Sequence, residues 1–185
     1  MRITTIGRGS IGGGLARLWT AAGHEVTTLG RDGGDASDAE VVLLAVPYDA
    51  VTGALGQVTG LGGKIVLDAT NRIGSGTPPA GYSSTAEYVK AQTGGPTAKV
   101  FNLNFASLFD RAAGATSRPN NIWVGDEEAR AAVEQLSHDM GMQAVNGGPL
   151  EYAAIQEDFG KMLVKIVGDV GEGLLFYRFA SPEKF

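Results

Sequence analysis

The sequence contains no cysteine and only two histidines. It therefore cannot form disulfides, thiolate nucleophiles or sulfur-ligated zinc sites, and it offers few ligands for a metal cluster. No apolar run approaches the roughly 18–20 residues that a membrane-spanning helix requires. Lysine and arginine do not cluster with aromatic residues and the net charge is −5, so a nucleic-acid partner is not expected. The absence of a Tyr-x-x-x-Lys pair excludes the mechanism of short-chain dehydrogenases.

The composition is that of an ordinary globular protein. The 185 residues are 43% hydrophobic and 19% charged, which predicts one soluble domain with a substantial core. The first residues, Met1–Ile6, resemble a strand and carry neither a basic segment nor a long apolar one, so no signal peptide is expected. We therefore expect a cytoplasmic protein.

Strand and helix patterns alternate along the chain, which is typical of a mainly parallel sheet covered by helices. Apolar patterning predicts strands at Arg2–Ile6, Glu25–Leu29, Val41–Val46, Lys64–Asp68, Lys99–Phe101, Ile122–Val124 and Met142–Val145. Helical spacing predicts helices at Ser10–Ala22 and Ala50–Val58, two more capped by Ser84 and Asp126, and a mostly helical stretch after Pro149. The pattern predicts a Rossmann-type, doubly wound α/β domain over residues 1–148 and a helical tail over 149–185.

The connection after the second predicted strand is unusually short. Only eleven residues, Gly30 to Glu40, lead to the next strand, whereas a full Rossmann half places a helix, a strand and another helix there. We therefore expect a sheet that is abridged after its second strand.

A glycine-rich loop joins the first strand to the first helix. It matches the dinucleotide-binding pattern G-x-G-x-x-G with the residues Gly7, Arg8, Gly9, Ser10, Ile11 and Gly12. In such loops the first glycine permits a tight turn, the second admits the pyrophosphate, and the third lets helix and strand pack closely. The N-terminus of the helix adds free N–H groups and partial positive charge. The alternative is a glycine-rich turn without a ligand.

The end of the second strand favours NADP(H) over NAD(H). An NAD site usually carries Asp or Glu there for the ribose 2′-hydroxyl, but this sequence has Gly30 followed by Arg31. Because no carboxylate stands at this position, a 2′-phosphate would not be repelled. Arg31 together with Arg8 can clamp that phosphate. The alternative is that either arginine pairs with nearby Asp32 or Asp35.

Residues that follow the third and fourth predicted strands are expected at the nicotinamide end, because the carboxyl ends of parallel strands face the ligand crevice. The candidates are Ala45, Val46, Pro47, Tyr48 and Asn71. Two roles are open for Tyr48, a contact with the nicotinamide or acceptor ring and simple packing at the rim. Asp68 is expected to hold its loop through hydrogen bonds.

The tail carries an apolar stripe at helical spacing, formed by Ile155, Phe159, Met162, Leu163, Ile166 and Val167. A second apolar group follows, with Leu174, Leu175, Phe176, Tyr177 and Phe179. This much apolar surface on a terminal helical pair favours a homodimer in which the tail also walls the acceptor pocket. The alternative is that the tail covers its own sheet.

The remaining polar residues receive structural roles. His24, in a turn, and His138, late in a helix, are expected to be solvated. Lys161 and Lys165, with Asp158 nearby, raise a rival hypothesis of a hydroxyacid or imine dehydrogenase. That class needs a large helical second domain, whereas only a short tail follows the last predicted strand. Otherwise both lysines are solvated and their stems cover apolar surface.

Five segments, GRGSIGGGLA, LLAVPYDAV, GKIVLDATN, KVFN and GGPLE, occur in the same order in one known family. The chain resembles the NADPH-dependent oxidoreductases that reduce the deazaflavin coenzyme F420. It is still more similar to their short relatives, known as predicted dinucleotide-binding oxidoreductases, which lack the same region after the second strand. Those relatives share a stretch seen here as Phe101 to Ala106, FNLNFA, and the resemblance covers nearly the whole chain.

The resemblance implies direct hydride transfer between NADPH and a flavin-like ring, without an essential protein nucleophile or metal. It also implies that Asn102 lies near the nicotinamide and the acceptor, where archaeal deazaflavin reductases carry a histidine. We therefore expect NADP(H) as cofactor and a deazaflavin or flavin as the small-molecule partner. The alternatives are an NADP(H)-sensing module without turnover and an NADP dehydrogenase of a small substrate.

Overall fold

The structure is a computed structural model that describes residues 1–72, 76–171 and 173–184. Its strands are β1 (Arg2–Ile6), β2 (Glu25–Leu29), β3 (Gly34–Asp35), β4 (Val41–Leu44), β5 (Val58–Thr59), β6 (Ile65–Asp68), β7 (Thr97–Lys99), β8 (Asn120–Gly125) and β9 (Gln143–Asn146). Its α-helices are α1 (Ser10–Ala21), α2 (Val51–Gly56), α3 (Thr85–Thr93), α4 (Phe109–Ala112), α5 (Arg130–Asp139) and α6 (Ala153–Val170).

Seven of these strands form one twisted layer in the order β2-β1-β4-β6-β7-β8-β9. The first five of that order run parallel to one another, and β8 then pairs antiparallel with β7 and parallel with β9. The register places Thr4 of β1 opposite Thr27 of β2 and Val42 of β4. The carboxyl ends of the five parallel strands thus share one edge of the sheet. This architecture confirms the predicted Rossmann-type α/β fold.

Helices cover both faces of the sheet, which explains the unbroken apolar runs in its central strands. Along β4, Val41 and Leu43 pack on one face with α1 and α5, whereas Val42 and Leu44 pack on the other with α2 and α3. On the first face Trp19 of α1 is completely buried, and its indole N–H donates to the carbonyl of Leu136 at 3.1 Å. The two apolar layers fix where the strands end and so position the site.

The region after β2 is abridged, as the short connection predicted. The chain turns sharply between Gly30 and Gly33, which form an isolated bridge, and then enters the two-residue strand β3. β3 pairs only with β5 in a small separate sheet. As a result β2 is the edge strand of the main sheet, and its carboxyl end is open to solvent beside the glycine loop.

Several predicted element bounds differ from the structure by one or two residues, among them the strand predicted over Val41–Val46, which ends at Leu44. Contacts explain two further differences. The helix predicted to reach Val58 ends at Gly56, because Val58 leaves it to pair with Gly34 in the small sheet. The strand predicted over Lys99–Phe101 covers Thr97–Lys99 instead. Phe101 adopts a left-handed φ of 63°, which turns its buried ring edge-on to Trp19 with centroids 5.4 Å apart. The core therefore overrides the strand pattern at this residue.

The two predicted helix caps differ in outcome. The Ser84 hydroxyl accepts the N–H of Glu87 at 3.2 Å, which confirms the cap of α3. The Asp126 side chain makes no cap, contrary to prediction. Its carboxylate instead accepts the N–H of Thr97 at 2.8 Å and pairs with Lys90. Asp126 thus ties the antiparallel junction of β7 and β8 to α3.

The tail contains one long helix rather than the predicted helical pair. After α6 the segment Leu174–Phe179 forms neither helix nor strand, and the carbonyl of Tyr177 accepts the N–H of Asn120 at 3.0 Å. The Tyr177 hydroxyl lies 3.3 Å from the N–H of Ile122. This segment therefore covers the start of β8, so part of the tail does pack on its own sheet.

Of the two histidines, His138 is exposed as predicted, but His24 is not solvated. The His24 ring is buried between the terminal amine of Met1, at 3.2 Å, and the carboxylate of Asp139, at 2.8 Å. The ring thus links the first strand to the end of α5. A search of the described helices finds none long and apolar enough to cross a membrane.

Candidate active site

A cleft of about 1030 Å³ lies at the carboxyl edge of the sheet, above the ends of β1, β2 and β4. Its lining includes Gly7, Arg8, Gly9, Gly30, Arg31, Asp32, Ala45, Val46, Pro47, Asp49, Ala50, Gly53, Ala54 and Gln57. The glycine loop, the two arginines and the loop after β4, each predicted separately, thus surround one cavity. Ser10, Ile11 and Gly12 form the first turn of α1 beside it.

Close packing explains two of the glycines in the loop. A Cβ atom on Gly7 would lie 2.2 Å from the carbonyl oxygen of Ala45, and the φ of Gly7 is 109°. A Cβ atom on Gly12 would lie 2.2 Å from the carbonyl oxygen of Gly7. Both contacts are too short for any side chain, so these glycines let α1 and the loop after β4 approach each other.

Gly9 differs, because the protein itself gives no reason for a glycine there. A Cβ atom on Gly9 would meet nothing within 4 Å, and its φ of −73° and ψ of −166° suit any residue. Gly9 is the N-cap of α1 without a side-chain cap, and the first turn holds no acidic residue. The free N–H groups of the helix therefore open on a bare surface that suits an anion.

Arg8 lies directly on the backbone of Gly30. A Cβ atom on Gly30 would be 2.0 Å from one terminal nitrogen of the Arg8 guanidinium and 2.7 Å from its central carbon. Any side chain at position 30, including the carboxylate of an NAD site, would displace the guanidinium. Gly30 therefore seats Arg8 at the end of β2, where the adenosine ribose of a dinucleotide lies in this fold.

Neither Arg8 nor Arg31 forms an ion pair with any residue that the structure describes. Asp35 binds the hydroxyls of Ser37 and Thr59 at 2.7 and 2.8 Å. These hydrogen bonds, led by that of Ser37, lower the pKa of the Asp35 carboxyl. The alternative explanation, in which either arginine pairs with Asp32 or Asp35, is therefore wrong for the described residues.

The three polar candidates for the nicotinamide end lie outside the lining of the cleft. Tyr48 follows Pro47 of the cleft wall and is half-buried. The Asn71 side-chain amide donates to the carbonyl of Asn102 at 3.1 Å. Asn102 is buried, and its side-chain oxygen accepts the amide of Gln156 at 2.7 Å. Asn71 and Asn102 thus join the loops after β6 and β7 to α6.

Below these loops lies a buried ionic cluster that the sequence analysis did not predict. The Lys99 ammonium is fully buried, 3.0 Å from a carboxylate oxygen of Asp68 and 2.8 Å from one of Glu157. It also reaches the hydroxyls of Thr70 and Thr85, at 3.1 and 3.0 Å. Buried charges require such complete pairing. Asp68 also accepts the N–H of Thr70 at 2.9 Å, which confirms its predicted loop-holding role.

Glu157 extends this cluster toward the surface. Its second oxygen accepts the Tyr48 hydroxyl at 3.3 Å and lies 3.9 Å from Nε of Arg72. Arg72 also pairs with the exposed Asp158 at 2.8 Å. Burial and then the charge of Glu157 raise the pKa of the Tyr48 phenol, so it stays protonated. Tyr48 is thereby tied to α6 as well as to the loop after β4.

One sequence signal pointed toward the cluster. Lys99 stands between the apolar residues Ala98 and Val100. A charged residue in a buried strand implies a buried partner of opposite charge. Asp68, at the end of the neighbouring strand, was available for that role. The third member, Glu157, is distant in sequence and no local pattern linked it to Lys99.

The rival lysines lie on the exposed side of α6. Lys161 pairs with Asp158 at 2.7 Å, and Lys165 pairs with Asp169. Both side chains are therefore solvated, as predicted for the case in which they have no catalytic role. Across the described ranges no group of three or more His, Asp or Glu residues could hold a metal ion.

Three solved structures illustrate what this chain is similar to. A candidate F420-dependent NADP reductase from Arthrobacter sp. FB24 superposes with a TM-score of 0.82 at 22% identity, over 98% of this chain and 100% of that one. A hypothetical protein from Sinorhizobium meliloti gives a TM-score of 0.63 at 28% identity, over 80% and 84% of the two chains. A reductive aminase from Aspergillus terreus, in complex with NADPH and ethyl levulinate, gives 0.65 at 16% identity.

The superposition on the aminase covers 92% of this chain but only 62% of the aminase. No family model and no curated protein matches the sequence. At these identities the similarity establishes the fold, and the function must be argued from the site.

Proposed function

We propose that this protein is an NADP(H)-dependent oxidoreductase that transfers a hydride between NADPH and a deazaflavin or flavin-like acceptor. The observation that carries the proposal is the cleft itself, which joins a bare helix N-terminus to two arginines. Neither arginine forms an ion pair within the described part of the chain. The similar fold of a candidate F420-dependent NADP reductase and of an aminase bound to NADPH supports it.

The lining of the cleft fits the parts of NADPH in order. The pyrophosphate fits over Gly9, where the N–H groups of the helix N-terminus are free and no atom of the described residues lies within 4 Å of an added Cβ. The 2′-phosphate fits between Arg8 and Arg31, since guanidinium groups bind phosphate through paired hydrogen bonds. Pro47 and its neighbours Ala45 and Val46 then offer an apolar wall to the nicotinamide.

The bound nucleotide supplies the chemistry, a hydride with its two electrons that passes from the dihydronicotinamide to the acceptor. The protein contributes binding, orientation and exclusion of water. The proton that completes reduction of the acceptor comes from solvent. No acid or base of the protein is needed for such a transfer.

Turnover tests the function directly. Purified protein should bind NADPH, measured by nucleotide fluorescence, and then oxidise it at 340 nm with the deazaflavin, FMN or FAD and not without an acceptor. Turnover with one of these acceptors supports the proposal and names the substrate. Tight binding without turnover on any of them would favour the sensor instead. Failure to bind NADPH would overturn the assignment of the cleft.

Replacing Arg31 with alanine should weaken NADPH binding by about 1–3 kcal/mol, or roughly 5- to 150-fold, because hydrogen bonds to charged groups are worth that much. NADH has no 2′-phosphate and should bind nearly unchanged. Titration of both nucleotides into Arg31→Ala and into the exposed Arg111→Ala control measures the difference. Equal losses for NADPH and NADH would show that Arg31 does not bind the 2′-phosphate.

We further propose that the tail forms a homodimer interface. The large hydrophobic residues that are exposed within the described chain all lie in this tail, namely Tyr152, Ile155, Met162, Val164, Ile166, Val170, Leu174 and Phe179. Exposed apolar surface of this extent is uncommon on a monomer. A second copy of the chain is the proposed occupant, since a two-fold contact buries the same surface twice.

The interface predicts the effect of a charge on α6. Ile166→Glu should shift the protein from dimer to monomer, because it would bury an unpaired carboxylate at the contact. Ala131→Glu, on the exposed side of α5, provides a control of the same type. Sedimentation velocity across a dilution series measures both. A monomeric wild-type protein at high concentration would refute the dimer.

A further inference from the structure

Glu157 presents its two carboxylate oxygens to different surroundings. One oxygen faces inward, 2.8 Å from the Lys99 ammonium and 3.3 Å from the Thr85 hydroxyl. The other faces the rim, where it meets the Tyr48 hydroxyl at 3.3 Å and lies 3.9 Å from Arg72. Glu157 itself is completely buried, so Lys99 and α6 hold its orientation.

This arrangement fixes the direction of one hydrogen bond. A carboxylate accepts hydrogen bonds and does not donate them, whereas a tyrosine hydroxyl has one proton to donate and lone pairs to accept with. Tyr48 must therefore donate its proton to Glu157. Only the lone pairs of the Tyr48 hydroxyl remain for another partner.

Tyr48 lies just outside the lining of the cleft, beside the nicotinamide end of the proposed binding mode. Tyr48 directly follows Pro47, which lines the cleft, and its ring touches the position of Gly76 on the loop after β6. The loops after β4 and β6 border the nicotinamide in the proposed binding mode. A partner there must offer a hydrogen-bond donor, and an amide-type N–H is the donor that a nicotinamide or a flavin-like ring presents.

We propose that Glu157 is a positioning residue for Tyr48, which it converts into a dedicated hydrogen-bond acceptor for an amide-type N–H at the nicotinamide end. The carboxamide of the nicotinamide and the ring N–H of a flavin-like acceptor share this chemistry. The choice of ligand rests on the proposed function. The direction of the Tyr48 hydrogen bond does not depend on any ligand.

A spectroscopic titration tests the hydrogen bond without a nucleotide. Ordinary tyrosines ionise near pH 10 and absorb at 295 nm when they do. Wild-type protein and Tyr48→Phe should give the same absorbance rise there, since the raised pKa of Tyr48 keeps it out of that range. Glu157→Gln leaves the burial of Tyr48 but removes the charge and the hydrogen bond of the carboxylate, so the ionisation step of Tyr48 should move to lower pH than in wild type. Tyr48→Phe in that background should remove this step. A difference of one tyrosine between wild type and Tyr48→Phe would overturn the proposal.

Nucleotide analogues test the ligand side. In the 3-acetylpyridine analogue of NADPH a methyl group replaces the amide NH₂, so it lacks the donor. If Tyr48 accepts from the carboxamide, Tyr48→Phe should lose about three- to tenfold in NADPH affinity, the range of one neutral hydrogen bond. Its affinity for the analogue should stay unchanged. If Tyr48 accepts from the acceptor instead, Tyr48→Phe should leave both affinities unchanged and raise the KM of the acceptor.

Glu157→Gln provides the sharper variant. Lys99 continues to donate to the inner oxygen, so the introduced amide turns its NH₂ toward Tyr48 and reverses the hydrogen bond. The selectivity for NADPH over the analogue should then fall to that of Tyr48→Phe. Fold is expected to persist, because Lys99 keeps Asp68 as its partner at 3.0 Å, and circular dichroism checks it.

Tyr88→Phe is the matched control, because its hydroxyl makes no hydrogen bond with the described residues and it lies on α3. It should change neither affinity nor selectivity. Unchanged nucleotide affinities and acceptor KM in Tyr48→Phe would overturn the ligand contact. Failure of wild-type protein to bind NADPH would instead overturn the proposed function, while the titration would still decide the role of Glu157.

Discussion

Lys99→Met should destabilise the protein by about 3–5 kcal/mol, the usual cost of removing one partner from a buried ion pair. Methionine fills nearly the same space as the lysine stem, so packing changes little. The carboxylates of Asp68 and Glu157 would remain fully buried without the ammonium that lies 3.0 and 2.8 Å from them. The hydroxyls of Thr70 and Thr85 would lose the same partner. Urea unfolding, followed by circular dichroism, measures the loss.

Lys161→Met is the matched control for this change. Lys161 pairs with Asp158 at 2.7 Å, but both side chains are exposed, and such pairs contribute less than about 1 kcal/mol. Adding Glu157→Gln to Lys99→Met should recover part of the loss, since one buried carboxylate is then neutral. A Lys99→Met protein as stable as the Lys161→Met control would mean that the cluster does not carry the charges assigned to it.

The sequence predicted residues that line the cleft but did not predict the buried cluster around Lys99. Gly7, Gly30 and Arg31 line one cavity. Each was a candidate because it follows a strand end, and strand ends are visible as breaks in apolar patterning. Parallel strands bring their carboxyl ends to one edge, so local patterns sufficed to assemble the cavity. The contact between Arg8 and Gly30 could be seen only in the structure. That Arg8 is suited to bind a 2′-phosphate was predictable from the sequence.

Contacts between distant parts of the chain were not predictable in the same way. His24 resembles a solvated turn residue by its neighbours, yet it binds Asp139, which is 115 positions away. Glu157 looked like a polar member of an amphipathic helix, and its buried role depends on where α6 crosses the loops after β6 and β7. Phe101 belongs to an apolar strand pattern, but the strand ends before it because its ring packs in the core against Trp19.

The glycine loop contains two kinds of glycine. Gly12→Ala should damage the fold, because its Cβ would lie 2.2 Å from a backbone oxygen. Gly9 has open space on that side, so the fold does not require a glycine there. If the cleft binds a pyrophosphate, the open space belongs to the ligand, and the two glycines should respond to substitution in opposite ways.

Gly9→Val should therefore abolish NADPH binding, with a loss of about 100-fold or more, while leaving the free energy of unfolding within about 1 kcal/mol of wild type. The valine methyl groups would occupy the place of the pyrophosphate and cover the N–H groups of α1. Gly62→Val is the matched control, since a Cβ there also meets nothing within 4 Å and Gly62 lies outside the cleft. Fluorescence titration with NADPH and urea unfolding of both variants measure the two effects. Because the backbone at Gly9 already suits a branched residue, lost binding with an intact fold has one physical cause, a ligand that must approach this backbone. Retained NADPH binding in Gly9→Val would move the phosphate site away from this loop.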